Sequence, residues 1–348
     1  MKRIIFACGG TLGHIMPAIT MAHMIKEDCI KTKIIFIMTS KDEKYEFIKK
    51  DPHIDEIYYY DIDGLNRKKL ISNIKNIFKI LKTIKKIKTC ILDSVIKDTL
   101  IIGMGGYISA IVIKVAKKLG KRIIIHEQNI VMGLANKLVY KDASLILSAF
   151  PLDNIDSLVI GNPRMFEARK CIKEKKKKEI LITSGSLGSK FINELSIEWL
   201  KTNDSKKYHT TLITGKKYYE KVKKELPEES NHFQILPIVD NLLEYMATSS
   251  LVVSRAGATT IFEIIGSITP SIVIPSPNVV NNHQYFNALF LKENNACVLL
   301  EEKEINIEIF NKYVEYTINN PVIIDNLKKV GLKFPEIDLI RVINSVNK

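Results

Sequence analysis

The sequence has few cysteines, and none stands in a spacing that would bind zinc or build a disulfide framework. The five cysteines, an odd number among 348 residues, are far apart and form no Cys-x-x-Cys pair. That usage is typical of reduced thiols in a cytosol. No apolar run reaches the ~18 to 20 residues needed to cross a bilayer, and the apolar start is too short for a signal peptide. We therefore expect a soluble or peripheral membrane protein.

Two further absences argue against common functions of a basic α/β chain. The net charge is +14, and residues 1–160 carry 26 Lys and Arg against 16 Asp and Glu, which favours an anionic partner. Nucleic acid is a poor candidate, because no aromatic residues alternate with the lysines and no nucleic-acid motif occurs. The fingerprint Gly-x-Gly-x-x-Gly is also missing. This weakens an NAD-dependent oxidoreductase, although Asp42 and Glu43 follow the second predicted strand.

Short apolar runs alternate with segments of helical spacing along the whole chain. The predicted strands of the first half are RIIFA, KIIFIMT, EIYYY, TLIIG, RIIIH, SLILSA and SLVIGN; those of the second half are EILITSG, TTLITG, FQILPI, LVVSRAG, SIVIPSP and CVLLEE. Continuous β-branched runs separated by helices indicate parallel strands covered on both faces. The sequence therefore predicts two doubly wound α/β domains, joined near the charged run 173–178.

Ligands bind such sheets at the carboxyl ends of the strands, and glycines and polar residues collect there. In FACGGTLGH, Gly9 and Gly10 let backbone approach a ligand, and the helix expected from Ile15 offers N–H groups to an anion. His14 follows this loop and is a candidate general base. The alternative is a tight turn without a ligand. GSLGSK and RAGATT also precede helices, and both are candidate phosphate cradles.

Two segments place polar side chains where packing alone does not require them. IIIHEQNIVMGLANK carries His126, Glu127, Gln128 and Asn129 directly after a buried strand, and we interpret this cluster as functional. PSPNVVNNHQYFNA carries amide side chains along one helix face, which suit sugar hydroxyls.

These motifs resemble the MurG family of bacterial glycosyltransferases, in order and over essentially the whole chain. GGTLGHIMPA, GGYISA and HEQNIVMGLANK are similar to its first glycine loop and acceptor-side motifs; GNPR, GSLGSKFIN, SRAGATTIFEI and NNHQYFNA are similar to its donor-side motifs. The resemblance implies inverting transfer of N-acetylglucosamine (GlcNAc) from UDP-GlcNAc to the 4-hydroxyl of MurNAc in lipid I, the undecaprenyl-diphosphate-linked MurNAc-pentapeptide. The product would be lipid II for peptidoglycan synthesis.

The resemblance also implies the GT-B fold, in which two Rossmann-like parallel-sheet domains face a cleft, and no metal or other cofactor. Residues 1–162 would bind the acceptor and the membrane, 163–335 would bind UDP-GlcNAc, and a helix in 336–348 would return to the first domain. The expected partners are UDP-GlcNAc, lipid I and the anionic cytoplasmic membrane surface, to which the enzyme would bind peripherally. The alternative is another GT-B enzyme that uses a nucleotide sugar, such as a lipid glycosyltransferase or an epimerase.

Residue roles follow from the same resemblance. His14 is the first choice for the base and Glu127 the second, with an oriented pair of the two as a third option. Glu263 would bind both ribose hydroxyls, and the backbone near Val239 would hold the uracil. The diphosphate would meet Arg164, Ser186 and the helix start Ala258, Thr259 and Thr260; the sugar would meet Gln284 and Asn287. Further donor-binding residues would be Thr11, Gly13 and Asn129, and the acceptor side would include Gly9, Gly10, Gly105, Gly106, Tyr107 and His126. Leu12 replaces a small residue and would crowd the acceptor loop.

The segment between Asp63 and Asp93 contains no acidic residue. Its helical spacing predicts one apolar face, formed by Ile74, Ile77, Phe78, Leu81 and Ile84, and beside it a basic stripe, formed by Lys75, Lys79, Lys82 and Lys86. One interpretation is an ordinary amphipathic helix packed on the first sheet. The other is that the lysine stripe also docks on the anionic membrane surface.

Overall fold

The computed structural model describes residues 2–62, 70–92, 98–185, 187–226, 230–318, 320–336 and 338–346, with side chains of the helix at 70–92 from residue 80 onward. The chain divides into two compact units. Unit 1 comprises Met1–Pro163 together with Glu336–Lys348, and unit 2 comprises Arg164–Pro335.

Unit 1 contains a seven-stranded sheet in the order β3-β2-β1-β4-β5-β6-β7, with every pair parallel. Its strands are β1 (Arg3–Ala7), β2 (Lys33–Thr39), β3 (Glu56–Tyr60), β4 (Thr99–Gly103), β5 (Arg122–Glu127), β6 (Leu145–Ser148) and β7 (Leu158–Val159). Alternate residues of β1 enter two different cores, Ile4 and Phe6 on one face of the sheet and Ile5 and Ala7 on the other. Burial on both faces explains why these strands are continuously apolar.

Helices cover both faces of this sheet. They are α1 (Leu12–Asp28), α2 (Glu46–Lys49), α3 (Leu70–Leu92), α4 (Gly106–Lys118) and α5 (Leu134–Lys137). In α3, Thr83, Ile87 and Ile91 are buried, whereas Leu81 is 56% exposed. The apolar face predicted for this helix is therefore wrong at Leu81, because the buried stripe runs through the later positions of the helix.

Unit 2 contains a six-stranded parallel sheet in the order β10-β9-β8-β11-β12-β13. Its strands are β8 (Glu179–Thr183), β9 (His209–Ile213), β10 (Phe233–Leu236), β11 (Leu251–Ser254), β12 (Ser271–Val273) and β13 (Val298–Leu299). Its helices are α6 (Arg164–Lys170), α7 (Lys190–Leu200), α8 (Tyr219–Glu225), α9 (Leu242–Thr248), α10 (Ala258–Ser267), α11 (His283–Glu293), α12 (Ile307–Thr317) and α13 (Pro321–Leu332).

The last helix, α14 (Leu339–Ser345), belongs to unit 1. It packs against α1, and Leu339 and Ile343 are buried in the core beneath that helix. All thirteen predicted strands form, and the predicted α/β class with two doubly wound parallel sheets is confirmed. Over the described ranges, no helix combines the length and the apolar character that crossing a membrane requires.

Candidate active site

The glycine loop after β1 is held by a buried carboxylate from the short 3-10 helix that follows β2. Asp42, 1% exposed, accepts hydrogen bonds from the Gly10 N–H at 3.0 and 3.1 Å and from the Thr39 hydroxyl at 2.6 Å. A Cβ on Gly9 would lie 2.5 Å from Asp42 Oδ2, so only glycine fits against this carboxylate. Asp42 thus fixes the loop, which removes it as the ribose ligand that an NAD enzyme would need.

His14, in the first turn of α1, begins a line of hydrogen bonds that runs across the strand ends. Its Nδ1 lies 3.0 Å from Gln128 Oε1, and Gln128 Nε2 lies 3.1 Å from His126 Nδ1. His126 Nε2 lies 3.2 Å from the carbonyl oxygen of Gly161. His126 is 0% exposed and Gln128 is 2% exposed, so protein groups replace water along this line.

The acceptors in this line determine where the protons lie. The Gly161 carbonyl can only accept, so His126 donates from Nε2 and accepts at Nδ1 from the Gln128 amide. Gln128 Nε2 also donates to the His126 carbonyl at 3.1 Å, which fixes the amide orientation. Gln128 Oε1 must then accept from His14 Nδ1–H. This tautomer leaves a lone pair on His14 Nε2, for which no described residue provides a hydrogen-bond partner.

Burial explains the charge state of the second imidazole. Desolvation lowers the pKa of His126 to about 4, although the hydrogen bond to Gly161 opposes that shift. His126 is therefore neutral near pH 7 and relays orientation rather than charge. Its role as an acceptor-side contact stays a prediction, and the complete burial of the ring favours a positioning role instead.

The glycines after β4 lie against the His14 ring. A Cβ on Gly105 would lie 2.8 Å from His14 Cε1, and one on Gly106 would lie 2.8 Å from the Gly9 carbonyl oxygen. Both have positive φ, at +98° and +84°, which favours glycine. These two glycines let the two loops of unit 1 close around the imidazole, and Tyr107 beside them is 48% exposed.

Glu127 holds its own loop rather than His14. Its carboxylate is 1% exposed, and the hydrogen bond of His14 goes to Gln128 instead, so the predicted His–Glu pair does not form. Four hydrogen bonds occupy the carboxylate: from the Asn129 N–H (3.0 Å), the Asn129 amide (3.4 Å), the Gly133 N–H (3.0 Å) and the Asn136 amide (2.8 Å). This occupancy argues against Glu127 as the base, because a proton acceptor must reach its substrate.

The remaining predicted residues of unit 1 lie on the rim of these loops. Thr11 is the exposed residue before α1, and Gly13 in the first turn of α1 is exposed too. Leu12 is partly buried and packs against the core of unit 1. Its side chain is therefore directed to the core, whereas the sequence analysis expected it to crowd the glycine loop. In α3, Lys82 and Lys86 are exposed, whereas the side chains of Lys75 and Lys79 lie outside the described residues.

In unit 2, two predicted donor-binding residues bond to each other. Arg164 Nε donates to Glu263 Oε1 at 2.9 Å, and Arg164 also bonds Glu167. Both members of the Arg164–Glu263 pair are buried, at 6% and 4% exposed. Burial raises the pKa of Glu263, and the guanidinium opposes that shift. Arg164 therefore lies beside the predicted ribose ligand and supports its carboxylate.

The helix start after β11 presents backbone N–H groups. Gly257 is the N-cap of α10, and Ala258, Thr259 and Thr260 form its first turn. The N–H groups of a first turn have no partner within the helix and carry the positive end of its dipole. No acidic residue lies in that turn. The geometry suits an anionic group such as a phosphate.

Arg255, which sequence reasoning did not single out, ties together four segments at the same edge of the sheet. Its guanidinium donates to Ser189 Oγ at 2.7 and 3.1 Å, and to the carbonyls of Ile274 and Pro275 at 3.1 and 3.3 Å. It also pairs with Glu302 at 2.5 Å. Ser189 is the N-cap of α7, so this arginine anchors the loop after β8. The sequence feature that could have identified Arg255 is its position directly after β11.

The loop after β8 is shaped by close packing. A Cβ on Gly188 would lie 2.8 Å from the Thr214 carbonyl oxygen, at a φ of +76°. Ser184 is buried and donates to Asn193 Oδ1 at 2.9 Å. Ser186, predicted to contact the diphosphate, lies outside the described residues. Val239 lies half-buried between β10 and α9, at the carboxyl edge of the sheet.

The two amides predicted to select sugar hydroxyls differ in accessibility. Asn287 is 0% exposed and donates to the Ala256 carbonyl at 3.2 Å, so it supports the loop before α10. Its role as a sugar contact stays a prediction. Gln284 is half-buried, and its Oε1 accepts from the Ser276 N–H at 2.9 Å. Its Nε2 has no acceptor among the described residues. This amide group is therefore positioned to donate to a ligand.

Comparison with known proteins agrees with the two parallel-sheet units described above. The chain matches the glycosyltransferase family 28 N-terminal domain at residues 4–148 and the glycosyltransferase family 28 C-terminal domain at residues 179–332. The crystal structure of Acinetobacter baumannii MurG superposes with a TM-score of 0.74 at 22% identity, covering 100% of this chain and 99% of that one. The fold is therefore that of the GT-B glycosyltransferases.

Curated relatives match at higher identity. Proteins of Thermoanaerobacter sp. (strain X514) and Pediococcus pentosaceus are 32% and 31% identical to this chain, covering 97% and 99% of it and 96% and 100% of their own lengths. Both are named UDP-N-acetylglucosamine--N-acetylmuramyl-(pentapeptide) pyrophosphoryl-undecaprenol N-acetylglucosamine transferase. Because these relatives match over almost the whole chain and both halves of family 28 are present in order, the chain belongs to the MurG family of glycosyltransferases.

Proposed function

We propose that this glycosyltransferase moves GlcNAc from UDP-GlcNAc to the 4-hydroxyl of MurNAc in lipid I, with inversion at the anomeric carbon. The single observation that carries the proposal is the line from His14 through Gln128 and His126 to Gly161, which leaves a proton-accepting nitrogen at the glycine loops. Transfer to a hydroxyl requires such an acceptor, because the attacking oxygen loses its proton as the new bond forms. The names of the relatives supply the substrates.

In this mechanism His14 Nε2 accepts the proton of the MurNAc hydroxyl. Gln128 keeps the Nδ1 proton in place during the step, because its Oε1 remains hydrogen-bonded to that N–H. The hydroxyl oxygen attacks the anomeric carbon while the bond from that carbon to the UDP oxygen breaks. The imidazolium then releases its proton to solvent. A positioned base of this kind contributes about 10²- to 10⁴-fold to a rate.

Unit 2 would hold the donor. Glu263 accepts hydrogen bonds from the ribose hydroxyls, and Arg164 orients its carboxylate through the bond to Oε1. The first turn of α10 meets the diphosphate and stabilises the charge that develops on the leaving UDP. Gln284 donates from Nε2 to a sugar hydroxyl, and the backbone near Val239 binds the uracil. Because the helix start supplies this stabilisation, we expect turnover to continue in EDTA.

The acceptor is a membrane lipid, so the enzyme would work at the cytoplasmic face of the cell membrane. Lys82 and Lys86 are exposed on α3, and each lysine near an anionic surface adds on the order of 1 kcal/mol of attraction. We assign peripheral attachment to this basic stripe together with Lys75 and Lys79. The domain roles follow: unit 1 binds acceptor and membrane, and unit 2 binds UDP-GlcNAc.

The test is to incubate the protein with UDP-GlcNAc and a short-chain lipid I analogue, and to analyse the products by mass spectrometry. We expect one product heavier than the acceptor by one GlcNAc residue, together with UDP. An acceptor that lacks the MurNAc 4-hydroxyl should give no product. A GlcNAc attached elsewhere, or no transfer with an acceptor that the protein binds, would contradict the proposal.

A second incubation with UDP-GlcNAc alone distinguishes the proposed transferase activity from an epimerase activity. An epimerase converts the donor without an acceptor, whereas the proposed transferase leaves it unchanged. Replacing UDP-GlcNAc by UDP-glucose then measures donor specificity. Faster transfer from UDP-glucose would indicate a different lipid glycosyltransferase of the same fold.

A further inference from the structure

A second cluster of chemically active side chains lies in unit 1, at the amino ends of the strands, whereas the glycine loops lie at their carboxyl ends. It consists of His23 in α1, and Asp51 and His53 in the segment between α2 and β3. Helix α1 begins after the carboxyl end of β1, so His23 in its later half lies toward the amino ends of the strands. His53 comes three residues before β3 starts at Glu56. The cluster plays no part in the mechanism above.

The two imidazoles converge on one carboxylate. His23 Nε2 lies 2.7 Å from Asp51 Oδ2, and His53 Nδ1 lies 3.3 Å from Asp51 Oδ1. The ring centroids are 4.3 Å apart. One ligand atom from each of the three residues lies within 4.8 Å of the other two. Each carboxylate oxygen therefore has its own imidazole nitrogen beside it.

The backbone helps to hold this arrangement. Asp51 Oδ1 also accepts from the His53 N–H at 2.9 Å, which fixes the carboxylate relative to the turn. The Asp51 side chain is 10% exposed, whereas those of His23 and His53 are 29% and 38% exposed. The nearby Lys26 is paired with Asp55 at 2.9 Å and does not neutralise Asp51. The anion is sheltered, and the two rings remain reachable from solvent.

We propose that His23, Asp51 and His53 form a binding site for one Zn²⁺ ion. Zinc binds imidazole nitrogen and carboxylate oxygen at about 2.0–2.2 Å, and two such ligands at a tetrahedral angle lie about 3.4 Å apart. The separation of His53 Nδ1 from Asp51 Oδ1, 3.3 Å, is close to that value. The separation of His23 Nε2 from Asp51 Oδ2, 2.7 Å, is a hydrogen-bond length and would have to increase by about 0.7 Å when the ion binds. The ion takes the place of the imidazole protons that now point at Asp51, and solvent completes the coordination. Two nitrogen ligands disfavour Mg²⁺ and Ca²⁺, which prefer oxygen.

A bound ion would join α1 to the segment that leads into the edge strand β3. The three ligands come from two separate stretches of chain, and a metal that binds only the folded form stabilises it by mass action. This role is structural and independent of glycosyl transfer. The chain offers a natural comparison in unit 2, where His209 Nδ1 lies 3.0 Å from Glu179 Oε2 with a single imidazole.

The test uses full-length protein without a histidine tag, stripped with EDTA, dialysed and titrated with Zn²⁺ in an isothermal calorimeter. We expect one ion per chain with a dissociation constant at or below about 10 µM, and a rise of about 5 °C in Tm at saturating zinc. Mg²⁺ and Ca²⁺ at the same concentration should produce neither effect. Cobalt(II) bound in place of zinc should show no sulfur-to-metal charge-transfer band, because no thiolate is a ligand.

The variants His23→Gln, His53→Gln and Asp51→Asn should each weaken zinc binding at least tenfold, and the first two together should abolish it. The amide introduced by Asp51→Asn retains an oxygen that accepts the His53 N–H, so this variant preserves the turn. Two control variants should bind as the wild type does: His209→Gln, which removes an imidazole paired with one carboxylate, and Cys29→Ser, which removes the exposed thiol at the end of α1.

Absence of saturable binding by the wild type would overturn the proposal. So would equal binding by the double histidine variant, since the ion would then lie elsewhere. Because each variant is first checked by circular dichroism and by its Tm in EDTA, loss of binding through misfolding is recognised. The controls then decide whether the remaining loss belongs to these three residues.

Discussion

The two units use the polar side chains after their strands in different ways. In unit 1, His14, Gln128 and His126 bond in a line, and one imidazole nitrogen remains for a substrate. In unit 2, Arg255 and Asn287 bond across neighbouring segments, and a helix start and the carboxylate of Glu263 remain. In the proposed mechanism, unit 1 takes a proton and unit 2 holds a nucleotide. Changes in the first should therefore lower kcat, and changes in the second should weaken donor binding.

Removing His14 should produce the largest effect. We expect His14→Ala to lower kcat by about 10²- to 10⁴-fold, because the proton acceptor is lost, while the dissociation constant for UDP stays within about twofold. The measurement is a steady-state assay together with calorimetric titration of UDP. His209→Ala, at a half-buried histidine of unit 2, is the matched control and should be fully active. A near-normal kcat with a raised acceptor KM would instead assign His14 to acceptor binding.

Glu263→Ala should act on the donor side of the comparison. We expect the KM for UDP-GlcNAc to rise by about 100-fold, because two ribose hydroxyls lose their acceptor and the buried Arg164 loses its partner. The acceptor KM should not change. Since the unpaired guanidinium also destabilises unit 2, the Tm is measured in parallel and Glu263→Gln serves as the milder variant. Wild-type donor kinetics in both variants would remove Glu263 from the ribose site.

Gln128→Ala sharpens the comparison further, because Gln128 touches neither substrate in our mechanism. We expect kcat to fall by about 30-fold, since His14 loses the group that selects its tautomer, with both KM values unchanged. A packing defect alone would lower the Tm without changing kcat per folded molecule. Asn287→Ala is the matched control in unit 2, because it also removes a buried amide. Its effect should appear in donor KM.

The buried His126 makes unit 1 sensitive to acid. Burial lowers its pKa to about 4, below the ordinary value near 6.5, so the unfolded chain binds more protons between these two limits. The contribution that the neutral, buried His126 makes to the free energy of unfolding is complete above about pH 6.5 and is lost as the pH falls toward 4. We expect the free energy of unfolding to drop by about 2 kcal/mol from pH 7 to pH 5 through this group. Urea denaturation at both pH values, compared with His126→Gln, measures it. An unchanged pH slope in that variant would contradict the assignment.

The strands could be predicted from the sequence because both faces of each sheet are covered by helices. Residues on both faces of a strand are therefore apolar, and each strand is a continuous apolar run. The same logic located the loops, since glycines and polar residues interrupt those runs at their carboxyl ends. The sequence pattern could not show which side chains form hydrogen bonds with each other. His14 and Gln128 are 114 positions apart, and Arg164 and Glu263 are 99 apart. Their pairing depends on strand order, which periodicity does not contain.

The same limit applies to the polar residues that the sequence singled out. Glu127 and Asn287 have the residue types expected of ligand-binding groups, yet both are buried. Glu127 is bonded to its own loop, and Asn287 is bonded to the Ala256 carbonyl of the loop before α10. A polar residue after a strand either meets a ligand or supports the loop that does, and its type is the same in both cases. Arg255 was missed because its four partners come from distant parts of unit 2.

The smallest expected effect concerns membrane binding, which should depend on lysines of unit 1 and not on those of unit 2. Lys82 and Lys86 are exposed on α3. Changing both to Gln should weaken binding to anionic vesicles about tenfold at moderate salt, since each lysine contributes on the order of 1 kcal/mol and salt screens part of it. Extending the change to Lys75 and Lys79 should abolish sedimentation with these vesicles and leave UDP affinity intact. The control carries Gln at Lys223 and Lys224 of unit 2, which are exposed and alter the net charge equally. If this control loses as much binding, attraction depends on net charge alone and α3 is not the membrane face.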